Sequence, residues 1–267
     1  MVGNVQRHLQ LLIVYAKQSL VNETTYRSNF VMATIGKILR IILLMVFFYS
    51  VSQRVPSIGE WNTETLYILV ATFYIVDLVA SIFFQRNLLY HLPRAIQDGT
   101  FDTFLLAPVS TLFQSSFRRI DPGDTVALIP FVGFWIWMVR SLTLDLTTFH
   151  VVAYLLFVLI GILLTYALTL GFGALAFWTV RGDGLGRMVD SITNASVYPL
   201  DIYPQPLRTV FLSAIPIALF AVIPTQALTG TLSVAHGILS LVVTTVFFCL
   251  ALLLWNRGLR RYNSVSS

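Results

Sequence analysis

The chain has 267 residues, 57% of them hydrophobic and only 11% charged, with a net charge of +5 and a mean hydropathy of +0.79. Soluble domains carry about 25% charged residues, so this composition excludes a surface wetted by water all round and makes lipid part of the solvent. The single cysteine, Cys249, lies in an apolar run and excludes an internal disulfide framework, while the basic residues sit beside apolar runs, which fits membrane topology rather than nucleic-acid binding.

The first ten residues, MVGNVQRHLQ, are polar and lack the short apolar core and cleavage site of a signal peptide. Over residues 1–28, Val5, Leu9, Leu12, Ile13, Ala16 and Leu20 recur at helical spacing, and Gln6, Arg7, Gln10, Lys17 and Gln18 fall largely on the other side. This pattern predicts an amphipathic helix lying in the membrane interface against lipid headgroups, or a plain membrane anchor. Residues 29–267 form the predicted transmembrane domain. A spanning helix needs about 20 mostly apolar residues, and the first two candidates cover 30–52 and 63–84.

The longest polar stretch follows, a loop over 85–124 that includes LPRAIQDGTFDTFLLAPVSTLFQSSFRRIDPGD. Asp98, Gly99 and Thr100 predict a turn, with Thr100 capping the FDTFLLA segment and Pro108 ending it. Such a short helix would carry an apolar side of Phe101, Phe104 and Leu105, and a protruding apolar turn marks a docking surface. A third span covers about 125–139 with Pro130 inside it, and a fourth, over about 149–180, is long enough to tilt.

The fifth region starts near Leu185 and is broken by Pro199, Pro204, Pro206, Pro216 and Pro224. Proline ends or kinks helices, so 199–230 is predicted to be a re-entrant helical hairpin dipping into the membrane from the outside. A proline-kinked spanning helix over about 209–225, giving seven crossings, is the alternative. The last span covers about 232–255. With the N-terminus inside, 14 of the 17 Lys and Arg residues fall on or near the cytoplasmic side, and only Arg54, Arg140 and Arg208 outside. Six crossings then put both termini in the cytoplasm.

Two charges fall within spans, Arg40 in the first and Asp77 in the second. Intramembrane charges usually pair or face the bundle interior, which predicts an Arg40–Asp77 pair; the alternative is that Arg40, with Lys37, snorkels to the surface. The polar lining is sparse, with Thr72, Asp77, Thr165, Thr169 and Asn194 as candidates, so the cargo expected is apolar or amphipathic.

The run AIQDGTFDTFLLAPVSTLF followed by SFRRIDPGD resembles the coupling-helix region of type-2 ABC exporter permeases, in particular the small branch whose two permease subunits pair with separate ATPase subunits. YPLDIYPQPLR followed by AIPIALFAVIPTQAL resembles that family's re-entrant external helices, and the amphipathic N-terminus resembles its interface helix. The likeness covers nearly the whole chain in order and spacing. It implies an all-α integral membrane protein of about six transmembrane helices in the cell membrane. Two permease copies or paralogues would form the path among membrane lipids, and a cytoplasmic ABC ATPase would dock on residues 94–108. It assigns that contact to Arg94, Asp98, Phe101, Asp102, Phe104 and Leu105.

No nucleotide site of the chain's own is expected, and no cofactor or metal. The only lysines are Lys17 and Lys37, and neither sits in the G-x-x-x-x-G-K-[ST] pattern of a phosphate-binding loop. His8, His91, His150 and His236 are scattered, and no hydrolase motif is present. A gradient-driven transporter or channel would need several acidic residues at mid-membrane, where only Asp77 qualifies. A membrane-embedded enzyme lacks its catalytic constellation.

Overall fold

The computed structural model describes residues 2–24, 27–53, 57–58, 61–141, 146–179, 183–198, 202–207, 211, 216 and 218–262. They form an all-α membrane protein; a two-residue antiparallel ribbon, Ser57–Ile58 with Trp61–Asn62, is the only sheet among the described residues.

Helix α1 (Val2–Thr24) is amphipathic and precedes α2 (Arg27–Ser52), the first span. Helix α3 (Thr63–Ala80) is N-capped by Asn62, whose side chain accepts from the Thr65 amide. It does not stop at the membrane surface. Two π-helical turns, Ser81–Gln85 and Asn87–His91, carry it into α4 (Leu92–Gln97). The start of the predicted loop over 85–124 is therefore helix. Pro93 explains the second π turn: a proline has no N–H and crowds the carbonyl four residues back. Widening the turn there, with the Leu92 amide bonded to the Asn87 carbonyl, lets the helix pass through.

Gly99, at a φ of 72°, makes the turn into α5 (Asp102–Leu106). Its cap differs from the expectation: the position before the helix is Phe101, with no side-chain cap, and the Thr100 carbonyl accepts from Thr103. Ala107 is extended ahead of Pro108, as a residue preceding proline should be. Helix α6 (Thr111–Phe117) leads to α7 (Pro122–Ser141) and α8 (Thr148–Ala174), which a 3-10 turn extends to Phe177.

The place of the expected fifth span is taken by two half-length helices, α9 (Asp183–Ala195) and α10 (Ala218–Thr229). Of the predicted re-entrant segment, residues 199–201, 208–210, 212–215 and 217 lie outside the described residues. Helix α11 (Val234–Arg261) ends the bundle. Among the described residues five helices are long and apolar enough to cross a membrane: Phe30–Phe47, Thr63–Gln85, Pro122–Arg140, Thr148–Phe177 and Val234–Arg261.

Helix α8 is the centre of the packing, with α10 and α11 against it. Glycines permit the close approaches that membrane helices use in place of a hydrophobic drive. A Cβ at Gly161 would meet the Leu219 carbonyl at 3.0 Å, and one at Gly173 would meet the Leu88 carbonyl, inside the π turn, at 2.6 Å. Gly161 lies midway along α8 and Gly230 stands beside His150 near its start, so α10 runs from mid-depth to the end of the bundle away from the basic residues. One buried cluster joins α3, α7 and α10; another, at the basic end, joins Phe84, Leu88, Leu92, Phe101 and Trp255.

Candidate functional site

The sequence IDPGD builds the core of the basic end. Asp121 caps α7, its carboxylate accepting from the Asp124 amide at 2.9 Å, and Pro122 takes the first helical position, where a missing N–H costs nothing. Both carboxylates thus stand at the positive end of a helix. The Asp121 amide donates to the Ile82 carbonyl at 3.1 Å, which ties this start to the first π turn of the long helix.

Two cations from other elements close on the pair. Lys37 of α2 contacts Asp124 and lies 3.7 Å from Asp121. Arg86, between the π turns, contacts Asp121 and lies 3.6 Å from Asp124. Ser81 adds a hydroxyl donated to Asp124. The network is neutral, and the Asp124 side chain is 3% exposed. Sequence reading placed Lys37 near the surface and missed this network; the two acids in IDPGD, opposite a lysine on a preceding span, were the available signal.

The network floors a cavity of about 580 Å³ between α2, the long helix and α9. Asp190 of α9 accepts from Gln85 and Tyr90; burial first, then that bond, pushes the Tyr90 phenol up to about 12. Arg40 and Asp77 both line the cavity, but not as an ion pair: Arg40 donates to the Asn194 side chain at 2.7 Å. The expected ion pair is thus not made directly, and Asn194 of α9 takes the Arg40 hydrogen bond. Beyond Arg40, Tyr74 and Asn194 the space continues as a second cavity of about 570 Å³, lined otherwise by apolar residues including Leu39, Leu43, Phe47 and Val197. Of the predicted lining residues, Asp77 and Asn194 are there. Thr72 bonds Tyr154, and Thr165 and Thr169 bond carbonyls of their own helix in the buried core.

The predicted docking residues divide. Arg94 and Asp98 are exposed, and Leu105 and Leu106 are 44% and 85% exposed. Phe101 is fully buried, with its ring against Phe104, Phe177 and Tyr262 at centroid distances of 5.5, 5.4 and 4.9 Å. Phe104 is also buried, beneath the Arg118 guanidinium, and Asp102 accepts from the Tyr262 hydroxyl. The expectation that Phe101 and Phe104 project outward is therefore corrected: they pack inward on the ends of α8 and α11, and Leu105 and Leu106 are the outward apolar residues.

A family model described as ABC-2 family transporter protein matches residues 38–266. No curated protein and no solved structure matches the chain.

Proposed function

The chain belongs to the ABC-2 family of transporter proteins, and on that premise we propose that it is the membrane-spanning permease subunit of an ATP-driven exporter, acting as two copies or paralogues with separate cytoplasmic ATPase subunits. Membership makes it a multi-pass membrane permease component of an ABC transporter. The finer reading draws its main support from one observation: an exposed short helix mechanically continuous with the spans. Helix α3 runs through its π turns into α4, and α5 hangs one turn further on, offering Leu105 and Leu106.

A displacement of α5 reaches three places. The long helix carries it to Arg86, Asp121 and Lys37, hence to α7 and α2. Phe101 carries it to Phe177 beyond α8 and Tyr262 beyond α11. Packed helices move as rigid bodies, so an ATPase seated on α5 would open or close the space between α2, the long helix and α9. In this reading the basic end faces the cytoplasm of a cell membrane, with both termini there, and ATP is bound by the partner. Residues 1–28 lie at the interface, and α10 is the returning limb of the segment dipping in from outside. Cargo passes from the charged cavity to the apolar one, which suits an amphipathic molecule.

Interface energy concentrates in a few apolar anchors. Replacing Leu105 and Leu106 together by serine should leave folding intact, since both are exposed, and lower recovery of the co-purifying ATPase about tenfold. Full ATPase recovery with a correctly folded variant would overturn the docking assignment.

A further inference from the structure

Between α1 and the α4–α6 segment lies a further polar cavity of about 560 Å³, which shares His91 and Arg94 with the one above the acidic pair. Three guanidiniums border it, from Arg94, Arg118 and Arg119, against a single carboxylate, Asp98. Unlike Lys37 and Arg86, whose charges are matched by Asp121 and Asp124, these three form no ion pair among the described residues. Arg118 rests on the Phe104 ring at 4.6 Å from its centroid, and Arg119 lies 3.2 Å from a ring nitrogen of His91. Both are thus positioned by groups that leave the charge uncompensated. Ser115 also lines the cavity, and its buried hydroxyl has no hydrogen-bond partner. A buried polar atom without a partner calls for an explanation, and a bound group in the cavity would supply one.

Three arginines lining one space, with a serine beside them, supply the donors that the oxygens of a phosphate group take, and arginine grips phosphate in bidentate fashion. The apolar span of the long helix ends at Gln85. Asn87 follows about 3 Å further along a helix rising about 1.5 Å per residue, inside a headgroup layer about 5–8 Å thick, and Arg94, about 14 Å beyond Gln85, stands on its aqueous side. Helix α1 closes the other side through Ser19, which accepts from the Ile120 amide, and its exposed Ile13, Val14, Leu20 and Val21 are apolar. We propose that this cavity binds a phosphate group, carried by an anionic phospholipid headgroup or free in solution, and that doing so fastens α1 to the α4–α6 segment.

The test uses the full chain in nanodiscs of mixed phosphatidylcholine and phosphatidylglycerol, with retained lipid read by native mass spectrometry. A second arm, in phosphatidylcholine alone, follows the melting temperature as inorganic phosphate is added. Two variants are compared, Arg118→Gln with Arg119→Gln, and Ser115→Ala. The alanine variant keeps every charge and removes only an unpartnered hydroxyl, so it remains informative if the arginine variant fails to fold. Retention of phosphatidylglycerol about tenfold over phosphatidylcholine, lost in the arginine variant and reduced in Ser115→Ala, supports the site with lipid as its source, at the scale of charge-assisted hydrogen bonds. A phosphate-induced rise in melting temperature, lost in the same variants, supports it with soluble phosphate as the source. Equal retention of both lipids with no phosphate effect overturns it. So does a phosphatidylglycerol preference unchanged in the variants, including the case where the arginine variant loses a co-purifying protein, which would make the cavity a protein contact.

Discussion

Asp124 gathers the electrostatics of the basic end into one side chain, held by a lysine from α2, an arginine from the long helix and a serine from the first π turn. Removing one partner from a fully buried ion pair costs about 3–5 kcal/mol, because the remaining charge stays buried. Here the Lys37 and Arg86 side chains are 27% and 47% exposed and recover some water, so Asp124→Asn should cost about 2 kcal/mol. Adding Lys37→Gln should cost little more, since it removes the positive charge that Asp124→Asn leaves unmatched. Thermal unfolding in detergent reads both; additive losses would mean that the residues act separately. His91 gives a pH signature. Burial, then the positive charges of Arg119, Arg94 and Arg86, hold its pKa at about 4, below the ordinary 6.5. The unfolded chain takes up a proton in that range and the folded chain does not, so this contribution is complete above pH 6.5 and is lost as pH falls toward 4. His91→Gln should flatten the fall in melting temperature between pH 6.5 and 4 relative to the unchanged protein.

At the scale of elements, the spans were legible because each is a long apolar run, a signal carried within about 20 residues. The long helix was not. Polar Gln85, Arg86 and Asn87 and the breaker Pro93 read locally as loop, and the second π turn is what lets the helix pass the proline. Phe101 and Phe104 were misplaced for a related reason. An apolar side on a short helix has the same sequence whether it meets another protein or its own chain, and the deciding partner, Tyr262, comes 161 positions after Phe101. The Asn194 partner of Arg40 was hidden for the same reason, being supplied from far along the sequence. The π turn makes its own prediction. A Cβ at Gly173 would meet the Leu88 backbone carbonyl, which cannot rotate away, so Gly173→Ala must push α8 off the turn. Overpacking of this kind costs about 1–3 kcal/mol, measurable as a lowered melting temperature. The same change at Gly133, where nothing lies within 4 Å, should lower it by less.

For the whole molecule, direction across the membrane is the property on which the exporter reading stands, and its argument rests on charge. Exposed basic residues gather where α4, α6 and α11 end, including Arg94, Arg118, Arg119, Arg260 and Arg261, whereas the far end holds Arg140 among the described residues. Loops rich in Lys and Arg stay in the cytoplasm, so α5 should face inward, toward ATP, and the start of α11 outward. Val234 and Leu106 mark the two ends, 79% and 85% exposed, so a cysteine at either disturbs no packing. The native Cys249 is itself exposed on α11 and must first become serine. In intact cells a membrane-impermeant maleimide should then label Val234→Cys and leave Leu106→Cys untouched until the membrane is opened. Once it is opened, bound ATPase should shield Leu106→Cys, and stripping the ATPase should restore its labelling. Labelling of Leu106→Cys in intact cells would place α5 outside, where no ATP-driven partner could reach it, and the exporter reading would fall with the orientation.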